Sequence, residues 1–144
     1  MFRKILLPTD GSELSLRALD GAVKMAQRLG AKIVGVTVVE PYAYATLSEY
    51  RPEAFEQYEA RIAQAAKERL QRIEDEARAA SVSVETTVVK SFSPYEAIID
   101  AAQRLGCDVI FMASHGRRGL SAVLLGSETQ KVLTHSNIPV LVYR

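Results

Sequence analysis

Ala26-Gln27-Arg28-Leu29-Gly30-Ala31-Lys32-Ile33-Val34-Gly35-Val36-Thr37-Val38-Val39 is the stretch that decides the fold. Its first part closes a run that carries Leu16, Leu19, Val23 and Ala26 at steps of three and four, the spacing of one helix face. Gly30 stands where a helix ends on a left-handed residue. From Ile33 to Val39 the chain is apolar almost without alternation. Such a run fits a strand covered on both faces, as strands of parallel sheets are. A helix, a glycine and a doubly covered strand make the second half of a β-α-β unit.

The pattern recurs outward in both directions. Ile5-Leu6-Leu7, Val109-Ile110-Phe111-Met112 and Ile138-Pro139-Val140-Leu141-Val142 are further continuous apolar runs. Val82 to Val89 alternates in its first half, which predicts an edge strand with one wetter side. The pentapeptide Ala26–Gly30 returns as Ala102–Gly106, again just before a strand. Helices are expected over Ser12–Leu29 and from about Pro52 to Ala80, where Phe55, Tyr58, Ile62, Ala66, Leu70, Ile73 and Ala77 share a face. Ser93-Pro94-Tyr95-Glu96 reads as a capped helix start running on to Leu105. Ser127-Glu128-Thr129-Gln130 reads as a second capping box, opening a short helix that ends near His135. Five strands alternating with helices predict an α/β fold: an open parallel sheet with helices on both faces, one domain over residues 1–144.

Composition narrows the function classes. Eighteen Lys and Arg stand against 17 Asp and Glu. That balance argues against nucleic acid as a partner, because phosphate contacts need a basic excess. No apolar run approaches the roughly 18 residues of a membrane span, so no membrane partner is expected. Cys107 is the single cysteine. It excludes an internal disulfide and a cysteine-based zinc site and fits a reducing cytoplasm. A buried, inert thiol is expected there.

In an open α/β sheet, ligands bind beyond the carboxyl ends of the strands, where strand order reverses. Three loops qualify: Pro8-Thr9-Asp10-Gly11-Ser12, the segment from Val38-Val39-Glu40, and Ala113-Ser114-His115-Gly116-Arg117-Arg118-Gly119 on to Gly126-Ser127. The last has the parts of a polyphosphate cradle. Glycines let backbone amides approach an anion, Arg117 and Arg118 carry charge, and a helix start offers free amides. Ser127 either caps that helix or faces the phosphate, and the two roles are compatible. Asp10 either contacts an adenosine or a Mg²⁺ ion, or caps the first helix with Glu13 three residues on. His115 can reach a phosphate but has no Ser/Asp arrangement of a hydrolytic triad. His135, at a helix C-terminus, complements the dipole. Tyr42, Tyr44 and Tyr50 stack on a base or cover an interface. The charges from Glu53 to Arg78 form a solvated helix face with i,i+4 pairs. There is no G-x-x-x-x-G-K-[ST], nor a G-x-G-x-x-G after the first strand, which excludes a P-loop and a classical dinucleotide site.

Ile5-Leu6-Leu7-Pro8-Thr9-Asp10-Gly11-Ser12, then Ser114 to Leu120 with Leu125-Gly126-Ser127, then Ser136-Asn137-Ile138-Pro139-Val140-Leu141-Val142 resemble the universal stress protein family along the whole chain. Its ATP-binding members carry G-x2-G-x9-G-[ST]. Gly116, nine residues and Gly126-Ser127 match its second half, but Ala113 stands at the first glycine. If that position needs φ > 0, alanine costs roughly 1 kcal/mol there. The resemblance implies a Rossmann-like sheet of order 3-2-1-4-5. It implies that the loop Pro8, Thr9, Asp10 and the backbone at Val38 meet adenosine, and that Met112 to Gly116 and Gly126 to Glu128 hold ribose and phosphates. The implied ligand is ATP, with AMP or ADP as variants and Mg²⁺ or Mn²⁺ alongside. The implied assembly is a homodimer through the last strand, Pro139 to Tyr143, acting as a stress-response module with slow or no hydrolysis. The alternatives are a partner-binding dimer without nucleotide, suggested by Ala113, and a metal-dependent ATPase.

Overall fold

The strands form as β1 Lys4–Pro8, β2 Lys32–Val39, β3 Val84–Lys90, β4 Val109–Ala113 and β5 Val140–Tyr143. The helices between them are α1 Glu13–Leu29, α2 Phe55–Ala79, α3 Pro94–Arg104 and α4 Ser127–His135. This computed structural model describes residues 1–43, 53–116 and 124–144. All pairings are parallel and the order is β3-β2-β1-β4-β5, the Rossmann-like arrangement expected.

Strand alternation divides the core into two layers. Ile5, Leu7, Ile33, Val109 and Phe111 pack with Leu19, Ala22, Val23 and Ala26 of α1 and with Leu70, Ile73 and Ala77 of α2. Leu6, Val34, Val36, Ile110 and Met112 pack with Ile98, Ala101 and Ala102 of α3 and Val132 of α4. Central strands are therefore covered twice, which is why their runs do not alternate. Two glycines permit close approach. A Cβ at Gly21 of α1 would lie 2.6 Å from the Tyr143 ring, and one at Gly35 of β2 would lie 2.9 Å from Ile73 Cδ1.

The repeated pentapeptide has one geometry at both sites. Gly30 has φ +64° and Gly106 φ +68°. Ala31 N donates to Ala26 O at 2.9 Å and Cys107 N to Ala102 O at 2.8 Å. Both are the six-residue closure of a Schellman motif, with the following residue buried.

Several boundaries and caps differ from expectation. β3 starts at Val84 and β5 at Val140, and Cys107 lies two residues ahead of β4. β3 is an edge strand as expected; exposure alternates over Val82-Ser83-Val84 and again over Val88-Val89-Lys90, with the residues between them half-buried. Leu16 is only half-buried, and Ser15 takes the buried place because its hydroxyl pairs with Thr9 Oγ1 at 2.7 Å. Phe55 stays exposed and stacks edge-on against Tyr42. Tyr42 is thus an intramolecular packing residue. It also meets Tyr58, and its hydroxyl donates to Glu53 O at 2.8 Å. Tyr44 and Tyr50 lie outside the described residues. The charged face of α2 carries the expected pairs, Arg72 with Glu76 and Arg78 with Glu74.

Candidate functional site

Sheet order reverses at β1. The chain steps from β1 to β2 and β3 on one side, then crosses to β4 and β5 on the other. The loops after β1 and β4 therefore diverge above and below the sheet and leave a crevice between them.

On the β1 side, Thr9 N still donates to Val36 O at 2.9 Å, and the chain then turns through Gly11 at φ +78°. Short side chains tie the turn. Asp10 Oδ1 accepts from Ser12 N at 2.9 Å, and Gly11 N donates to Thr9 Oγ1 at 3.2 Å. The cap of α1 is Ser12, whose hydroxyl oxygen accepts from Ser15 N at 3.3 Å. Asp10 does not cap the helix, because its carboxylate is engaged one step earlier.

On the β4 side, Met112, Ala113, Ser114 and His115 are all buried. Ser114 N donates to Tyr143 O at 2.9 Å, and Ser114 O accepts from Gly126 N at 2.8 Å. Thr129 Oγ1 donates to Ala113 O at 3.0 Å. The first of these bonds ties β4 to β5, and the bonds from Gly126 and Thr129 hold the first turn of α4 against the end of β4. The glycines of the motif serve this closure. A Cβ at Gly116 would lie 2.5 Å from Asp10 Oδ2, and one at Gly126 would lie 3.3 Å from Ser114 O. Neither glycine has positive φ. Asp10 and Gly116 thus lie against each other, one from the β1 loop and one from the β4 loop.

Ala113 is the last residue of β4, without positive φ, and its side chain belongs to the core layer beneath α1. The strain foreseen for alanine there does not arise.

Two caps differ from the sequence expectation, and both bear on the site. Gly126, not Ser127, occupies the N-cap of α4, in an extended conformation and with no side-chain cap bond. Ser127 is the first helical residue, and Gly126 at the N-cap offers no side chain to its first-turn amides. At α3, Ser93 sits at the N-cap but its side chain makes no cap bond. Glu128 Oε2 accepts from Tyr95 N there at 2.9 Å, while Glu128 Oε1 lies 3.4 Å from Lys131 Nζ. One oxygen is thus held at the start of α3 by Tyr95 N, while Lys131, one turn along α4, offsets the charge on the other.

His115 pairs its Nδ1 with Ser114 Oγ at 3.0 Å. Its Nε2 is buried without a hydrogen-bond partner among the described residues. Native buried polar atoms are nearly always satisfied, so this nitrogen calls for a group from outside the described residues. Val38 lies one residue before the end of β2, beside Val89 of β3. Arg117, Arg118 and Gly119 lie outside the described residues. His135 ends α4, with Nδ1–H donating to Lys131 O at 2.9 Å. Among the described residues, no three His, Cys, Asp or Glu side chains gather as metal ligands, and no helix is long and apolar enough to cross a membrane. Burial pushes the Cys107 thiol up to about 11, an unreactive group.

Residues that the motifs missed also shape the site: Thr37, Arg69, Ser15 and Thr129. One signal was present, a single hydroxyl inside the otherwise apolar run Ile33–Val39.

Comparisons with known proteins agree on one relationship. The universal stress protein family model matches residues 1–144. A universal stress protein of Thermus aquaticus is 34% identical over 149 residues, covering all of both chains. The solved structure of MJ0577, a Methanocaldococcus jannaschii universal stress protein, superposes with a TM-score of 0.82 at 30% identity, covering 99% of this chain and 95% of that one. A universal stress protein solved in complex with cAMP superposes with a TM-score of 0.69 at 25% identity, covering 99% and 97%.

Proposed function

We propose a function from one premise: the chain belongs to the universal stress protein family. It binds an adenine nucleotide in the crevice between the β1 and β4 loops and acts as a regulatory module with slow or no hydrolysis. ATP is the first candidate, with AMP and ADP sharing the same contacts. The observation that carries this is the meeting of Asp10 and Gly116 at the switch point, with Gly126, an N-cap without a side chain, opening α4 against Ser114 and His115. Helix amides and dipole favour a phosphate at that position. The Nε2 of His115, buried without a partner among the described residues, adds a polar atom that a ligand can satisfy. The relative solved with cAMP shows that an adenine nucleotide suits a protein of this fold.

Within this proposal, residues 1–144 act as a single nucleotide-binding domain. Pro8, Thr9, Asp10 and Val38 line the base and sugar side, while Met112 to Gly119 and Gly126 to Glu128 line the phosphate side. With no protein metal cluster among the described residues, Mg²⁺ or Mn²⁺ would enter on the nucleotide's phosphates and keep most of its waters. The assembly is a cytoplasmic homodimer through Pro139 to Tyr143.

Titration calorimetry on protein stripped of nucleotide under denaturing conditions and refolded tests the proposal. Saturable binding of ATP or AMP below millimolar concentration is expected. Absence of binding at that limit overturns it.

A further inference from the structure

We propose that Thr37 and Arg69 are positioning residues for Asp10, acting on the ligand loop through the carbonyl of Thr9. The proposal rests on the nucleotide reading above for its functional consequence, but its geometry stands apart from any ligand.

β2 is apolar through the core except at Thr37, which is 0% exposed. A buried hydroxyl is costly unless it is bonded. Thr37 Oγ1 donates to Thr9 O at 2.8 Å. Arg69 Nη1, reaching in from α2, donates to the same hydroxyl oxygen at 3.3 Å. A hydroxyl has one proton and two lone pairs. With Arg69 on a lone pair, the proton is steered to Thr9 O. Thr9 is then held twice by β2, at its amide by Val36 O and at its carbonyl by Thr37.

Thr9 is the last residue gripped by the sheet before the turn. Asp10 follows it directly, with Oδ1 on Ser12 N and Oδ2 against Gly116. The orientation of the Thr9 peptide therefore sets where the Asp10 carboxylate crosses to the β4 loop. A line of contacts runs from α2 through Thr37, Thr9 and Asp10 to Gly116. The hydroxyl, not the shape, of residue 37 is the functional part.

Two substitutions separate these properties. Thr37→Val keeps the shape and removes the hydroxyl. Thr37→Ser keeps the hydroxyl and removes a methyl group. Both lower Tm, so stability alone does not discriminate. The discriminating measurements on the full chain are amide hydrogen exchange at Ser12 without ligand, and ATP affinity by calorimetry. In Thr37→Val, Ser12 exchanges faster and the ATP dissociation constant rises, each by about threefold to tenfold, the weight of one hydrogen bond. Thr37→Ser stays near wild type in both. Arg69→Met, which keeps the aliphatic stem, moves both readouts in the direction of Thr37→Val. If Thr37→Val matches wild type in Ser12 exchange, or Thr37→Ser loses as much as Thr37→Val, the proposal is overturned. If wild type binds no adenine nucleotide while Ser12 exchange still rises only where the hydroxyl is lost, the relay stands and the nucleotide reading fails.

Discussion

Ala113 and Gly116 stand three residues apart in one motif and obey different constraints. Ala113 ends a buried strand, and its methyl packs in the core beneath α1. Gly116 has no room for a methyl, because Asp10 Oδ2 would lie 2.5 Å from it. Two opposite outcomes follow. Ala113→Gly lowers stability by about 0.5–1 kcal/mol through backbone entropy and lost packing, and leaves ATP affinity within about twofold of wild type. Gly116→Ala pushes the Asp10 carboxylate aside and weakens ATP binding by about tenfold or more, roughly 1.4 kcal/mol, with a smaller effect on thermal stability. Calorimetric titration and thermal melts on the two variants check both. The spacing of the glycines was legible in the sequence, but the reason for each was not. A motif shows which positions lack a side chain, whereas only the folded loops show that the space at Gly116 belongs to Asp10.

At the scale of elements, the ends of helices carry most of the information. α1 and α3 both finish on the same five residues and the same left-handed glycine. Nothing lies within 4 Å of where a Cβ would stand at Gly30 or Gly106. Substitution there is purely a matter of backbone conformation. Gly30→Ala and Gly106→Ala are each expected to cost about 1–2 kcal/mol, with similar shifts of the urea midpoint and no change in its slope. Unequal losses would mean that one terminus depends on contacts rather than φ. The helix starts were less legible. Ser93 and Ser127 both match capping boxes, yet neither supplies the cap. Glu128 reaches from α4 to Tyr95 N at the start of α3. A local rule assigns caps to neighbours in sequence, and here a neighbour in space does that work.

At the scale of the whole molecule, the sheet has two open edges, β3 and β5. β5 presents the better template. Pro139 O accepts from Ile110 N, and Tyr143 O accepts from Ser114 N. Polar groups alternate sides along a parallel strand, so those of Val140 and Val142 turn toward the open edge. Pro139 lacks an amide on the side facing β4, so it does not interrupt that edge. The proposed homodimer therefore depends on the amide of Val142. Val142→Pro removes an outward donor without breaking the ladder to β4, a position where edge proline is tolerated. Analytical ultracentrifugation should show wild-type dimer and variant monomer, with the variant still folded by circular dichroism. A variant that remains dimeric would place the interface elsewhere.

The sequence alone determined the layering. Continuous apolar runs require strands covered twice, helical periodicity supplies the covers, and the repeated pentapeptide marks where helix gives way to strand. These signals are local, and local chemistry is written along the chain. Tertiary structure alone decided which groups share a site. Asp10 over Gly116, Glu128 at the start of α3, and Thr37 between Arg69 and Thr9 join residues 28 to 106 positions apart. Their partners are set by which strands lie side by side, and strand order is a property of the packed sheet rather than of any segment within it.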